Sequence, residues 1–235
     1  CRRFLTQGGQ KCIELIGIDI VAKIQEGLKH VFVANICIIL SLLHFIISVS
    51  DQIMRRLLEC KQDLIKEADE YGWTPLHYAA RCGNVEGVRQ LLKMDKLAAH
   101  ITTPDKDGEK TALHIAAAHG NVNVMKELSS KCPDCWERVN SKGQNILHIA
   151  VDMEQEKVME YILEKSWIIH LINQKDIEGN TPLHLLYLYD DVTLASAHLS
   201  STKVWCNREY KWAFNDKNIT PEDIQWSKSQ VKLCQ

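Results

Sequence analysis

The stretch Tyr71–Asn84, "YGWTPLHYAARCGN", sets a Thr-Pro-Leu-His run between a glycine and a pair of alanines. Three later segments echo it: "EKTALHIAAAHGN", "GQNILHIAVDMEQ" and "GNTPLHLLYLYDD". Aligned on histidine, the copies fall at His77, His114, His148 and His184, at intervals of 37, 34 and 36 residues. A period of that size marks a stacked repeat, in which each unit hides its apolar side against the next.

Each position has a physical reason. Thr74 and Thr181 suit a helix N-cap, where the hydroxyl accepts an orphan backbone N–H. Pro75 and Pro182 suit the first helical position, where a missing N–H costs nothing. Leu76, Leu113, Leu147 and Leu183 point into the stack, and the histidine lies three residues past the cap, within its reach. Ala79, Ala80, Ala116, Ala117 and Ala150 let neighbouring helices approach closely. Gly83 and Gly120 end the short helix at a residue that tolerates positive φ. A second helix follows in "VEGVRQLLKM", "VNVMKELSSK" and "QEKVMEYILEK", with apolar residues at steps of three and four. "DKDGEK", "NSKGQN" and "DIEGN" are polar, glycine-centred turns between units.

These features resemble ankyrin repeats, whose signature is T-P-L-H-x-A. "DEYGWTPLHYAARCGNVEGV", "GEKTALHIAAAHGNVNVMKEL" and "WAFNDKNITPEDI" resemble more closely the plant ankyrin proteins related to accelerated cell death six, which carry a PGG-type membrane domain. The resemblance covers residues 51 to 226. It implies a cytosolic stack beside a plasma membrane and a role in defence or stress signalling. The chain stops at Gln235 without the C-terminal membrane domain that this branch leads one to expect. The expected fold is all-α, an ankyrin solenoid of stacked helix-turn-helix units with projecting turns.

The expected organisation starts with an N-terminal segment, 1–50, and the second helix of a partial repeat, 51–70. Ankyrin units follow at 71–106, 107–141 and 142–177, with a degenerate unit at 178–214. There "LLYLYDD" sets Leu186 and Tyr187 where the first unit has alanines, bulk that would push a following helix away. "NITPEDI" reads as a capping half-repeat, 215–226, before a tail, 227–235. Residues 31–50, "VFVANICIILSLLHFIISVS", hold no Asp, Glu, Lys or Arg. Three readings stand: a transmembrane helix, a buried helix replacing the missing first helix, or a non-native segment. A start at Cys1 reads as a fragment or a processed product, and the first ten residues lack the apolar core of a secretory signal.

The composition is 46% hydrophobic and 25% charged with a net charge of −2, ordinary for a globular chain and without the basic excess of a nucleic-acid binder. Nine irregularly spaced cysteines read as free thiols in a reducing compartment rather than a disulfide framework. Cys132-Pro133-Asp134-Cys135 could supply redox chemistry or half a zinc site, yet it falls in a loop between units, without a second pair to complete a tetrahedron. His114 and His119 lack the spacing of a zinc-binding helix, and no phosphate loop or nucleophile elbow is present.

The expected function is a non-enzymatic protein-binding scaffold. No cofactor, metal, nucleic acid or small-molecule substrate is expected; thiol-redox or metal binding at Cys132 and Cys135 is the alternative. The partner, another protein, would meet the concave face and turn tips. Candidate contacts are Tyr71, Trp73, Arg81, Lys106, Glu109, Lys110, His119, Lys142, Gln144 and Asp152, with Cys82, Asp107, Ala118 and Met153 continuing the row. Membrane association would run through residues 31–50.

Overall fold

The computed structural model describes residues 65–69, 71–165, 169–188 and 212–233. The helices in these segments are α1 Pro75–Cys82, α2 Val85–Met94, α3 Ala112–Ala118, α4 Val122–Lys131, α5 Ile146–Asp152, α6 Glu156–Leu163, α7 Ile169–Asn173, α8 Pro182–Leu188 and α9 Pro221–Leu233. Short 3₁₀ turns at Lys96–His100 and Pro133–Glu137 follow α2 and α4. The described residues contain one isolated bridge, Thr102 with Thr111, and no longer strand.

The helices stack in two rows. An inner row runs α1, α3, α5, α8 and α9, each packed on the next, and an outer row runs α2, α4 and α6. The alanines explain the spacing: Ala79, Ala80, Ala116, Ala117 and Ala150 are fully buried along the inner row. Outer helices contribute Val88, Leu91 and Leu92, then Val124, Met125 and Leu128, then Val158 and Ile162, all fully buried.

The repeated histidine is a cap on its own helix. Thr74, Thr111, Asn145 and Thr181 donate their backbone N–H to Nδ1 of the histidine three residues on, at 3.0, 3.1, 3.3 and 3.0 Å. Nδ1 is therefore an acceptor, and the ring proton sits on Nε2. Nε2 then donates onward to the carbonyls of Ile101, Asn180 and Ile219 at 3.0, 3.1 and 3.1 Å, from His77, His148 and His184 respectively. His114 departs from this: its Nε2 makes no bond of good geometry, although the Arg138 and Gln144 carbonyls lie close enough to favour its protonated form. In α9 an aspartate does the histidine's work, with Asp223 Oδ2 accepting from Thr220 N–H at 2.8 Å.

The projecting turns share one design. Asp69, Asn140, Asp176 and Asn215 each use Oδ1 to accept the backbone N–H groups two and four residues ahead. Successive tips are laced together by backbone: Ser141 N–H to Gly108 O at 3.0 Å, Ile177 N–H to Lys142 O at 3.0 Å, Asp216 N–H to Glu178 O at 3.1 Å. That closeness requires glycine at 179, where a Cβ would stand 2.6 Å from the Asp216 nitrogen. Two residues before the cap, where the other turns have glycine, the left-handed position falls to Glu109 in the second turn, next to left-handed Gly108, and to Asn218 in the last.

Three expectations meet the structure differently. Helix α9 runs on past the expected capping boundary at 226, to Leu233. Leu186 and Tyr187 are buried, but the segment they were expected to displace, like 1–50 and the stretch 51–64, lies outside the described residues. The cysteines are not all free thiols: Cys132 and Cys135 form a disulfide, because the C-x-x-C spacing folds both onto one 3₁₀ turn with 5.6 Å between Cα atoms.

Candidate protein-binding face

Turn tips and inner-helix ends place most of the predicted contacts along one row, in three neighbourhoods. At the first turn, Tyr71 is 60% exposed, while Trp73 is half-buried and donates from Nε1 to Asp107 Oδ2 at 2.8 Å. The Arg81 guanidinium lies over the Trp73 ring, 5.7 Å from its centroid. Trp73 is therefore a half-buried brace between two turns.

The second neighbourhood is a cleft of about 330 Å³ between the second and third turns, lined also by the ends of α3 and α5. Lys106, Lys110, Lys142 and Asp152 all line it. Lys110 Nζ sits 3.8 Å from Asp107 Oδ1, whereas Lys106 and Lys142 are exposed and form no ion pair among the described residues. Glu109 is exposed on the same turn, held in the left-handed region at φ 50°.

His119 is the third, exposed just past α3. Burial of part of its ring, with Arg81 and Lys110 nearby, pushes its pKa down. Gln144 corrects the expectation of an open contact. It is buried, 9% exposed, at the cleft floor, and its Oε1 accepts from Asn140 Nδ2 at 3.0 Å. The residue just before a cap is drawn inward by the turn it closes, so its polar atoms are already engaged.

A different cluster forms behind the outer helices. The Lys96–His100 turn lies against the Pro133–Glu137 turn of the next unit and brings His100 Nε2 to 3.3 Å from Cys132 Sγ and 3.5 Å from Asp134 Oδ2. Asp134 Oδ1 is itself 3.3 Å from Cys132 Sγ, a contact that is a hydrogen bond only when the sulfur carries a proton. The sequence reading missed His100, which lies 32 residues before Cys132 and outside any motif. Its one signal is register: both residues follow an outer helix in consecutive units.

The comparisons with known proteins bear on the repeat itself. The family described as ankyrin repeats (3 copies) matches residues 28–105 and 95–176. The chain belongs to the ankyrin-repeat family. Ankyrin-repeat relatives include the human transient receptor potential cation channel subfamily A member 1, 31% identical over 52% of this chain and 10% of that protein. The probable 26S proteasome regulatory subunit p28 of Saccharomyces cerevisiae is 29% identical over 56% of each chain. The nuclear factor NF-kappa-B p105 subunit of Gallus gallus is 27% identical over 66% of this chain and 16% of that one. The ankyrin chain thus spans from about a tenth to about half the length of these relatives. Among solved structures, a chain from the complex of a Bdellovibrio bacteriovorus predatory endopeptidase with an immunity protein matches at TM-score 0.60 and 23% identity. It covers 80% of this chain and 92% of that one, a likeness of fold. Ankyrin repeats make this chain a protein–protein interaction scaffold. Among the described residues no helix is long and apolar enough to cross a membrane.

Proposed function

We propose that the cleft between the second and third turns is where this scaffold holds its partner protein, with no chemistry performed on it. The carrying observation is the convergence of Lys106, Lys110, Lys142 and Asp152 on a cleft of about 330 Å³, with Lys106 and Lys142 free of ion pairs among the described residues. Asp105, Asp107 and Asp152 line the same cleft, so three carboxylates stand beside the three lysines and suit a partner segment that carries charge of both signs, and charges at such an edge act mainly by steering encounter. Tyr71 and the Trp73–Arg81 pair extend the surface with the residue types that carry interface energy.

The test is capture of partners from a lysate by the full chain, compared with Lys106→Glu/Lys142→Glu. Partner recovery drops at least tenfold in the double variant and falls with added salt. Lys157→Glu, on the outer helix α6, recovers partners as the parent does. Equal recovery by all three chains removes the cleft from the binding face.

The finer reading places the scaffold at a plant membrane in defence or stress signalling, and rests on the resemblance to the accelerated-cell-death-six type. Residues 31–50 would be its anchor, having the length and the lack of charge for a span. The ankyrin-repeat match takes in the same stretch from residue 28. Fractionation decides: an anchor leaves the full chain in carbonate-washed membranes and releases it on deletion of 31–50. A full chain found wholly in the supernatant ends the anchor reading.

A further inference from the structure

We propose that His100, Cys132, Asp134 and Cys135 form a zinc site that opens when the Cys132–Cys135 disulfide is reduced, a site distinct from the partner cleft. One ligand atom from each of the four lies within 4.8 Å of every other. A tetrahedral zinc with sulfur at about 2.3 Å and nitrogen or oxygen at about 2.0–2.2 Å spaces its ligands roughly 3.3–3.8 Å apart. The edge from Cys132 Sγ to His100 Nε2 already has that length, 3.3 Å, and the Asp134 carboxylate reaches both atoms, with Oδ1 3.3 Å from Cys132 Sγ and Oδ2 3.5 Å from His100 Nε2, so either oxygen has one such edge in place. The two sulfurs must move apart, which breaking their bond permits.

The surroundings suit an ion. Cys132 and Cys135 are buried, and the Asp134 side chain is 68% exposed, giving an entry path. His100 Nδ1 is buried without a hydrogen-bond partner, so the ring's polar contacts among the described residues all go to the cluster. Two thiolates, an imidazole and a carboxylate are donors that favour zinc over magnesium or calcium. A structural staple explains less. The disulfide spans three positions of one turn and constrains the unfolded chain little, whereas an ion held by His100 and the cysteines would tie two successive repeats together.

The chemistry balances with a dithiol as reductant. The dithiol gives two electrons and two protons and becomes a cyclic disulfide. The Cys132–Cys135 bond breaks to two thiols. Zinc(II) then takes both sulfurs as thiolates, and their two protons pass to buffer.

The experiment uses the full chain, reduced with dithiothreitol, desalted without oxygen and titrated with cobalt(II) and then zinc(II). One equivalent of cobalt gives tetrahedral d–d bands and a thiolate charge-transfer band, and one equivalent of zinc bleaches them. Reoxidised chain gives neither band. Cys132→Ser/Cys135→Ser abolishes the signal, and His100→Ala or Asp134→Asn weakens zinc binding by about 10- to 100-fold. The oxidised parent is a comparator that needs no substitution, so misfolding of a variant does not blur the result. Bands of equal strength in the reduced and oxidised chain, no bands in either, or bands that survive the double serine substitution would each overturn the proposal.

Discussion

A histidine three residues past the cap does two things at once. Its Nδ1 holds the cap of its own helix, and in three of the four copies its Nε2 reaches a carbonyl of the following linker or turn. The first bond needs the neutral ring, because Nδ1 accepts only when it carries no proton. Burial pushes the pKa of His77 and of His114 down from 6.5 to about 4, and lowers those of His148 and His184 as well. Below 6.5 the unfolded chain therefore takes up protons that the folded chain refuses. Stability is complete above about 6.5 and declines as pH falls toward 4, by up to about 1.4 kcal/mol per pH unit for each histidine. Urea midpoints at pH 7.0, 5.5 and 4.5 should fall steeply in that order, and His114→Gln should flatten the trend. A midpoint constant from pH 7 to 5 would refute the buried, neutral assignment. The cap role was readable from the spacing of threonine and histidine. The turn residues Asp69, Asn140, Asp176 and Asn215 were equally readable, each eight positions before the cap partner, but they were hidden by the second unit, where Lys106 stands in that place. The buried state of Gln144 was not readable, since nothing in its type says whether a turn will draw it inward.

The first six helices are seven to ten residues long, too short to persist alone in water. Each exists because its neighbours cover it. Ala116 shows how tightly: it is fully buried on α3, which packs against α1 on one side and α5 on the other. Ala116→Leu should cost about 1–3 kcal/mol or more by overpacking, read as a lower urea midpoint with unchanged slope. A variant as stable as the parent would mean that the inner row is looser than its alanines imply. Helix starts were legible because caps and prolines are local. The end of α9 was not, because "QWSKSQVKL" carries no stop signal before Leu233.

At the scale of the whole molecule, the main contacts of each layer among the described residues are with the layers beside it. Stability in such a stack is close to a sum of unit and interface contributions. Helices α3 and α5, covered on both sides, should show the slowest amide hydrogen exchange, and protection should decline toward α9. Uniform protection along the chain would instead indicate a single cooperative unit. The period of the sequence determined the family, the fold and the order of the layers, because a repeating apolar pattern has one economical way to hide itself. The sequence also supplied the turn-tip residues, though not which of them would share a cleft. Only the tertiary structure decided that Lys106, Lys110, Lys142 and Asp152 meet, and that His100 comes to lie against Cys132 from the preceding unit. The physical reason is the same in both cases. Stacking joins residues about one repeat apart through the register of neighbouring layers, and that register is set by side-chain packing rather than by any local signal.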